Sequence, residues 1–248
     1  MSFVNTAYNP YEYFTLCDHK GVPLKEDPFH GSSSDFKLWL QSLSTAKGCH
    51  WMIDTETVGL TAEAAIVQVG LAPFSPLGSG LYLHPYKSKE NEWAMSVTHN
   101  QVLNVKDQGR VQDPDTIKWW HEKNASNLHL LTSGTRLLKD ELTALAHVLG
   151  FKAELWANSP TFDIDLLRNA CKQQGVPLGL NFRNEWDVRT VSKLAGFGYG
   201  NKKGLYDKAA EYWARDKNAH DALNDVFTQI FEVQECYRIL EIAQKVNK

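Results

Sequence analysis

The sequence predicts an α/β fold with helices packed on a sheet. Three observations carry that expectation. Between residues 50 and 86, three strand-like runs follow one another through short turns, which predicts an antiparallel meander. Beyond residue 137, helical periodicity alternates with a short apolar run. The chain then closes on one long amphipathic helix.

The elements follow in order. Residues 1–47 hold Pro10, Pro23, Pro28 and a run of three serines at 32–34, with little periodicity. Within them, Asp35 to Ser44 is expected to be a helix capped by Ser34 or Asp35, with Phe36, Leu38, Trp39, Leu40 and Leu43 as its apolar contacts. Aromatics at Phe3, Tyr8, Tyr11, Tyr13 and Phe14 mark this segment as an arm that packs on something. It is treated as an N-terminal extension to a domain spanning 48–248. His50 to Thr57 reads as a strand, Ala64 to Phe74 as a buried strand, and Leu81 to Tyr86 as the third. Residues 90–149 read as helical and loop-rich, with one helix opening at Asp113-Pro114-Asp115 and another from Leu137 to Leu149. A short strand, Ala153 to Ala157, precedes helices at Asp163 to Gln174, Asp187 to Ala195 and Asp221 to Gln244. Leu223, Val226, Phe227, Ile230, Val233 and Tyr237 give the last its 3.6-residue period.

Composition narrows the function classes. The chain has 248 residues, 43% hydrophobic and 22% charged, which is ordinary globular usage. No apolar run approaches membrane-spanning length, and the first residues lack a basic segment followed by an apolar one. The four cysteines are scattered and form no CxxC, so a reduced, cytoplasmic setting is expected (the host cytoplasm if the chain is phage-encoded). A formal net charge of −3 argues against a basic nucleic-acid coater. It leaves room for an enzyme whose carboxylates hold cations.

Three sites bear chemistry. Asp54 and Glu56 stand at i and i+2 near the end of an apolar strand, so both carboxylates project from one face. Repulsion between them is relieved by a hard divalent cation such as Mg²⁺ or Mn²⁺. Asp163 falls on the apolar stripe of its helix with Leu166, Leu167, Ala170 and Cys171, whereas Asp165 does not. A carboxylate on a core-facing stripe needs a partner. His220 opens the last helix, and Asp225 follows five residues on. Taken singly, each has a plainer explanation: a solvated strand end, an acid favoured by a helix dipole, a surface histidine, a solvated helical aspartate.

Together, DxE on a strand, Phe-Asp at a later helix start and HxxxxD opening the last helix resemble the DEDDh 3′–5′ exonucleases of the DnaQ-like superfamily. The likeness covers roughly residues 48–245. It is nearest to phage T4-type DNA exonucleases and bacterial 3′–5′ exoribonucleases, on Asp54-Thr-Glu-Thr, Ile66-Val-Gln-Val-Gly70, Thr116-Ile-Lys-Trp-Trp120, Trp156 to Asp163 and Asp187-Val-Arg-Thr190. The resemblance implies a ribonuclease H-like fold with a mixed five-stranded sheet, antiparallel strands first and parallel ones after. It implies two divalent ions, Mg²⁺ or Mn²⁺, held by Asp54, Glu56, Asp163 and Asp225, with His220 as general base. The substrates implied are 3′ ends of single-stranded DNA, slightly favoured, or RNA, with nucleoside 5′-monophosphates released and no membrane partner.

Thr57, Gly59, Leu60, Asn158 and Phe162 are the expected substrate contacts, Gly59 by allowing close backbone approach. Asn158 has an equal claim as a turn residue. Between Arg189 and Lys217 stand seven basic and three acidic residues, of which Lys202 and Lys203 are candidates for phosphate contact. Arg189 is read as a structural brace and at least one of Trp119 and Trp120 as core. The other histidines read as surface or satisfied core groups. A catalytically silent binding protein on the same fold, and a purely structural metal site, are the competing readings.

Overall fold

The computed structural model describes residues 8–88, 91–197, 203–215 and 220–246, with side chains from 8–88, 91–197, 204–215 and 220–242. The chain order is β1 (Phe14–Cys17), α1 (Ser33–Ser44), β2 (His50–Thr57), β3 (Ile66–Phe74), β4 (His84–Lys87), β5 (Glu92–Val102), α2 (Pro114–Lys123), α3 (Leu130–Ser133), α4 (Leu138–Val148), β6 (Glu154–Ala157), α5 (Pro160–Gln174), β7 (Glu185–Asp187), α6 (Val188–Leu194), α7 (Lys203–Trp213) and α8 (Ala222–Val246). Phe3 and Lys202 lie outside the described residues, as does the side chain of Lys203.

The expected α/β class and mixed sheet are present, but the sheet has seven strands rather than five. Its order is β1-β5-β3-β2-β6-β7, with β4 paired to β5 off that path. The pairs β1–β5, β5–β3 and β3–β2 are antiparallel; β2–β6 and β6–β7 are parallel. The meander's third strand is β5, eleven residues inside the stretch read as helical and loop-rich. The expected strand at Leu81 to Tyr86 shrinks to β4, and Leu81 itself makes only an isolated bridge to Phe74. The physical reason lies in β5's polar content. Ser96, Thr98 and His99 are buried between layers, so they dilute the apolar signal that marks a covered strand.

Alternation along β2 sorts side chains to two faces. Trp51 and Ile53 join the core beneath α1, α4 and α5. Met52 joins Phe74 and Trp156 in a second core under α6, α7 and α8. The arm belongs to the first core through Tyr13, Phe14, Leu16 and Phe29. Helix α1 starts two residues earlier than expected, because Ser32 caps it by accepting from the Asp35 N–H at 3.3 Å. Leu38 faces solvent rather than the core.

Candidate active site

The site sits beyond the carboxyl ends of β2 and β6, where α5 and α8 begin, the place where α/β sheets commonly open a crevice. Helix α8 is held there by two residues of β3. Gln68 accepts from the Ala222 N–H at 3.1 Å and donates to Asp221 Oδ2 at 3.1 Å. Gly70 lies directly beneath the helix start: a Cβ there would come within 2.5 Å of the Ala222 carbonyl. Asp221 caps α8 by accepting from the Asn224 N–H at 3.0 Å.

His220 takes a left-handed backbone conformation at φ 62°, which is unfavourable for a side chain of its type. Three contacts hold it. Its N–H donates to Asp225 Oδ2 at 3.1 Å, its carbonyl accepts from Asn127 Nδ2 at 2.9 Å, and its ring meets Trp119 edge-on at 4.8 Å. Burial lowers its pKa, which favours the neutral imidazole.

The carboxylates of Asp54, Glu56, Asp163 and Asp225 line one cleft. Even-numbered residues of β2 face α8, so Asp54 and Glu56 point toward Asp225. Ligand atoms of Glu56, His220 and Asp225 lie within 4.8 Å of one another. Asp54 accepts from Gln229 Nε2 at 2.7 Å, and Asp163 Oδ1 accepts from the Thr55 N–H at 3.1 Å and hydroxyl at 2.7 Å. Asp163 sits in the first turn of α5, not at its first residue, which begins at Pro160.

Crowding has an electrostatic signature. Burial, and then the charges of Asp163, Asp225 and Glu56, push Asp54 well above the usual carboxylate range. Glu56 is pushed up to about 8 by burial and by Asp225 and Asp163. Burial raises Asp225 to about 7 against the opposing bond from the His220 N–H. Asp163 rises only to about 6, because its bonds from Thr55 and the charge of Arg189 oppose burial. Four buried acids in one cleft, two of them pushed up further by the charges of the others, suit oxygen-preferring divalent cations, which would hold them ionised.

The cleft encloses about 790 Å³. Leu60, Asn158 and Phe162 line it as expected. Thr57 and Gly59 do not. The Thr57 hydroxyl is turned to the Gly59 carbonyl at 2.6 Å, and a Cβ on Gly59 would meet that of Ala64 at 2.9 Å. Close packing against Ala64 is enough to account for the glycine. Arg189, read as a brace, lines the cleft and lowers the pKa of Asp163. Trp120 is core and donates to the Thr57 carbonyl at 2.9 Å, whereas Trp119 is 36% exposed beside His220.

Gln229 escaped the sequence reading although it stands four residues after Asp225, on the same helical face. Tyr206, Ala209 and Trp213 of α7 were also missed as cleft wall. Among the remaining histidines, His99 is fully buried between Glu141 Oε1 at 2.5 Å and the Tyr13 carbonyl at 3.0 Å, a satisfied core group.

The profile of the Rv2179c-like 3′–5′ exoribonuclease domain family matches residues 49–237. The chain belongs to this family. It is a 3′–5′ exonuclease domain on a ribonuclease H-like fold. Among solved structures, it superposes on the ribonuclease domain of yeast Pop2 with a TM-score of 0.50 at 12% identity, covering 83% of this chain and 82% of that one. S. pombe Pop2p in its Mg²⁺- and Mn²⁺-bound form gives 0.50 at 17% identity, covering 82% and 87%. The zinc-bound E. coli ExoI–ssDNA complex gives 0.48 at 14% identity; the match covers 81% of this chain and 42% of that one. No curated protein matches the sequence.

Proposed function

We propose that the chain removes nucleoside 5′-monophosphates one at a time from the 3′ end of single-stranded RNA. The observation that carries this reading is the convergence of Asp54, Glu56, Asp163, Asp225 and His220 at one cleft, in a chain whose family is described by exoribonuclease activity. DNA is the second substrate to test, on the resemblance to phage-type DNA exonucleases. Residues 1–47 are taken as an extension to the exonuclease domain.

Asp54, Glu56, Asp163 and Asp225 would hold two divalent cations; Mg²⁺ or Mn²⁺ suits these oxygen donors. The Mg²⁺- and Mn²⁺-bound form of S. pombe Pop2p supports that choice. Bound there, the cations would supply positive charge to the attacking water and to the departing 3′ oxygen. His220 takes the water's proton on its imidazole as the water oxygen attacks phosphorus, a role suited to a neutral ring. The bond from phosphorus to the 3′ oxygen breaks, leaving a 3′-hydroxyl on the shortened strand. Thr55 and Gln229 fix Asp163 and Asp54 in place, and such supporting bonds are worth about 10–100-fold in metal affinity. Leu60 and Phe162 present apolar surface to the terminal base, and Asn158 a polar contact. A catalytically silent protein is disfavoured because every one of the five groups is in place.

Four free, buried thiols support a reducing compartment such as the cytoplasm. No helix among the described residues is long and apolar enough to cross a membrane.

The test incubates 5′-labelled RNA and DNA strands with Mg²⁺, Mn²⁺ or chelator, beside an Asp54→Asn control. A metal-dependent ladder shortening from the 3′ end, faster on RNA and missing in the control, is the expected result. A faster DNA ladder would reassign the sugar. No shortening of either strand by folded, metal-supplied protein would remove the exonuclease reading.

A further inference from the structure

A second cavity of about 240 Å³ lies between the N-terminal arm, β5 and the start of α8. Arg215 lines both this cavity and the catalytic cleft. The rest of its lining is largely polar and includes Thr15, Thr98, Asn100, Gln101 and the acid Glu12, whose carboxylate is paired with Arg136 at 3.5 Å. At that size it suits a short stretch of nucleic-acid backbone better than a drug-sized ligand.

Arg215 is poised in an unusual way. Its guanidinium stacks over the Phe227 ring at 4.3 Å and is half-buried. Asp221 and Cys17 are the groups whose charge acts on it. Asp221 has its two oxygens engaged by the Asn224 N–H and by Gln68. A half-buried arginine that lines both cavities presents its fork to an acceptor entering either, and phosphate matches its geometry. The arm helps to set the platform. Gly21, in a left-handed conformation at φ 72°, lies so close to Phe227 that a Cβ would approach the ring to 2.5 Å. Lys20 anchors the same loop to α7, donating to the Tyr212 carbonyl at 3.1 Å.

Resting on the exonuclease reading, we infer that Arg215 clamps a phosphate upstream of the scissile one and passes the strand from the cleft into the second cavity. The ligand class is the sugar–phosphate backbone of a single strand. The arm, through Thr15 and the Gly21 turn, then forms part of the substrate path.

The experiment measures binding of fluorescent RNA, two and eight nucleotides long, by anisotropy with Ca²⁺ in place of Mg²⁺ over a KCl series. Arg215→Gln is expected to weaken the eight-mer about tenfold, the worth of one charge-assisted hydrogen bond, while the two-mer is unchanged. Its salt slope falls by about 0.7, the increment for one phosphate on a single strand, and Arg215→Lys keeps the slope. Asn100→Asp preserves the acceptor that Gln68 Nε2 uses at 2.8 Å and adds negative charge to the second cavity. It is expected to weaken the eight-mer alone. Equal loss at both lengths, an unchanged slope, or an eight-mer indifferent to Asn100→Asp overturns the clamp. If the glutamine variant does not fold, Asn100→Asp decides alone. Strand shortening by the unaltered protein in Mg²⁺ judges the exonuclease reading separately, so the two can fail independently.

Discussion

At the residue scale, burial and then mutual repulsion hold the acids of the site above their usual range. Glu56 has a folded pKa of about 8 against an ordinary 4.5, so the folded state binds the extra proton between those values. Its contribution is therefore intact below pH 4.5 and is lost as pH rises toward 8. The melting temperature of metal-free protein should fall from pH 5 to pH 8, and added Mg²⁺ should restore most at pH 8. Glu56→Gln should flatten that slope and raise the metal-free midpoint at pH 8 by at least roughly 2–4 °C, the equivalent of 1 kcal/mol in a chain of this length. A slope identical to that of the parent protein would refute the repulsion account. His220 makes a sharper case, because its ring nitrogen also lies within the possible metal cluster. As a general base, its loss in His220→Ala should lower kcat by about 10²–10⁴-fold with the Mg²⁺ requirement unchanged. A matching rise in the Mg²⁺ needed for half-maximal activity would make it a ligand instead.

At the scale of elements, catalytic geometry depends on how α8 meets β3. The helix brings Asp225 and Gln229 to the cleft, and its start is pinned by Gln68 and by the bare backbone of Gly70. Gly70→Ala must push the Ala222 peptide aside. It is expected to cost about 1–3 kcal/mol in denaturant unfolding, as overpacking does, and to reduce activity further than the lost stability explains. Retention of full activity per folded molecule would show that α8 tolerates displacement. Helix α5 shows the same logic on the other side. Its first turn carries Asp163 onto the Thr55 backbone, so strand and helix cannot shift independently.

Across the whole molecule, the N-terminal extension packs into the sheet and the core. Strand β1 pairs with β5 from Phe14↔His99 to Cys17↔Ser96 and covers what would be an open sheet edge. The buried His99 takes the Tyr13 carbonyl, tying arm, sheet and α4 through Glu141. Phe14 is 3% exposed, so Phe14→Ala should cost about 3–5 kcal/mol by chemical denaturation, like a central core truncation. A loss under 1 kcal/mol would return the arm to the status of a loose extension.

How much of this was legible before folding varies from residue to residue. Asp54, Glu56, Asp163, His220 and Asp225 stood out because motif spacing and element type are local properties. The strand His50–Thr57 is recovered with the same bounds, since the apolar run Trp51-Met52-Ile53 followed by Thr55 and Thr57 needs no distant partner to be recognised. Strand β5 was hidden because three of its five buried residues, Ser96, Thr98 and His99, are polar and become buried only when β1, β3 and β4 close around it. Thr57 and Gly59 were assigned to substrate on proximity in sequence, yet their contacts are to Trp120 and Ala64, far along the chain or across a turn. Helix α7, Gln229 and Arg215 became part of the cleft for the same reason. Sequence by itself determined the class of chemistry, because the acids and the histidine carry it in their functional groups. Only the tertiary structure decided which neighbours shift their pKa values and where a strand can run, because charge and desolvation act through space and not along the chain.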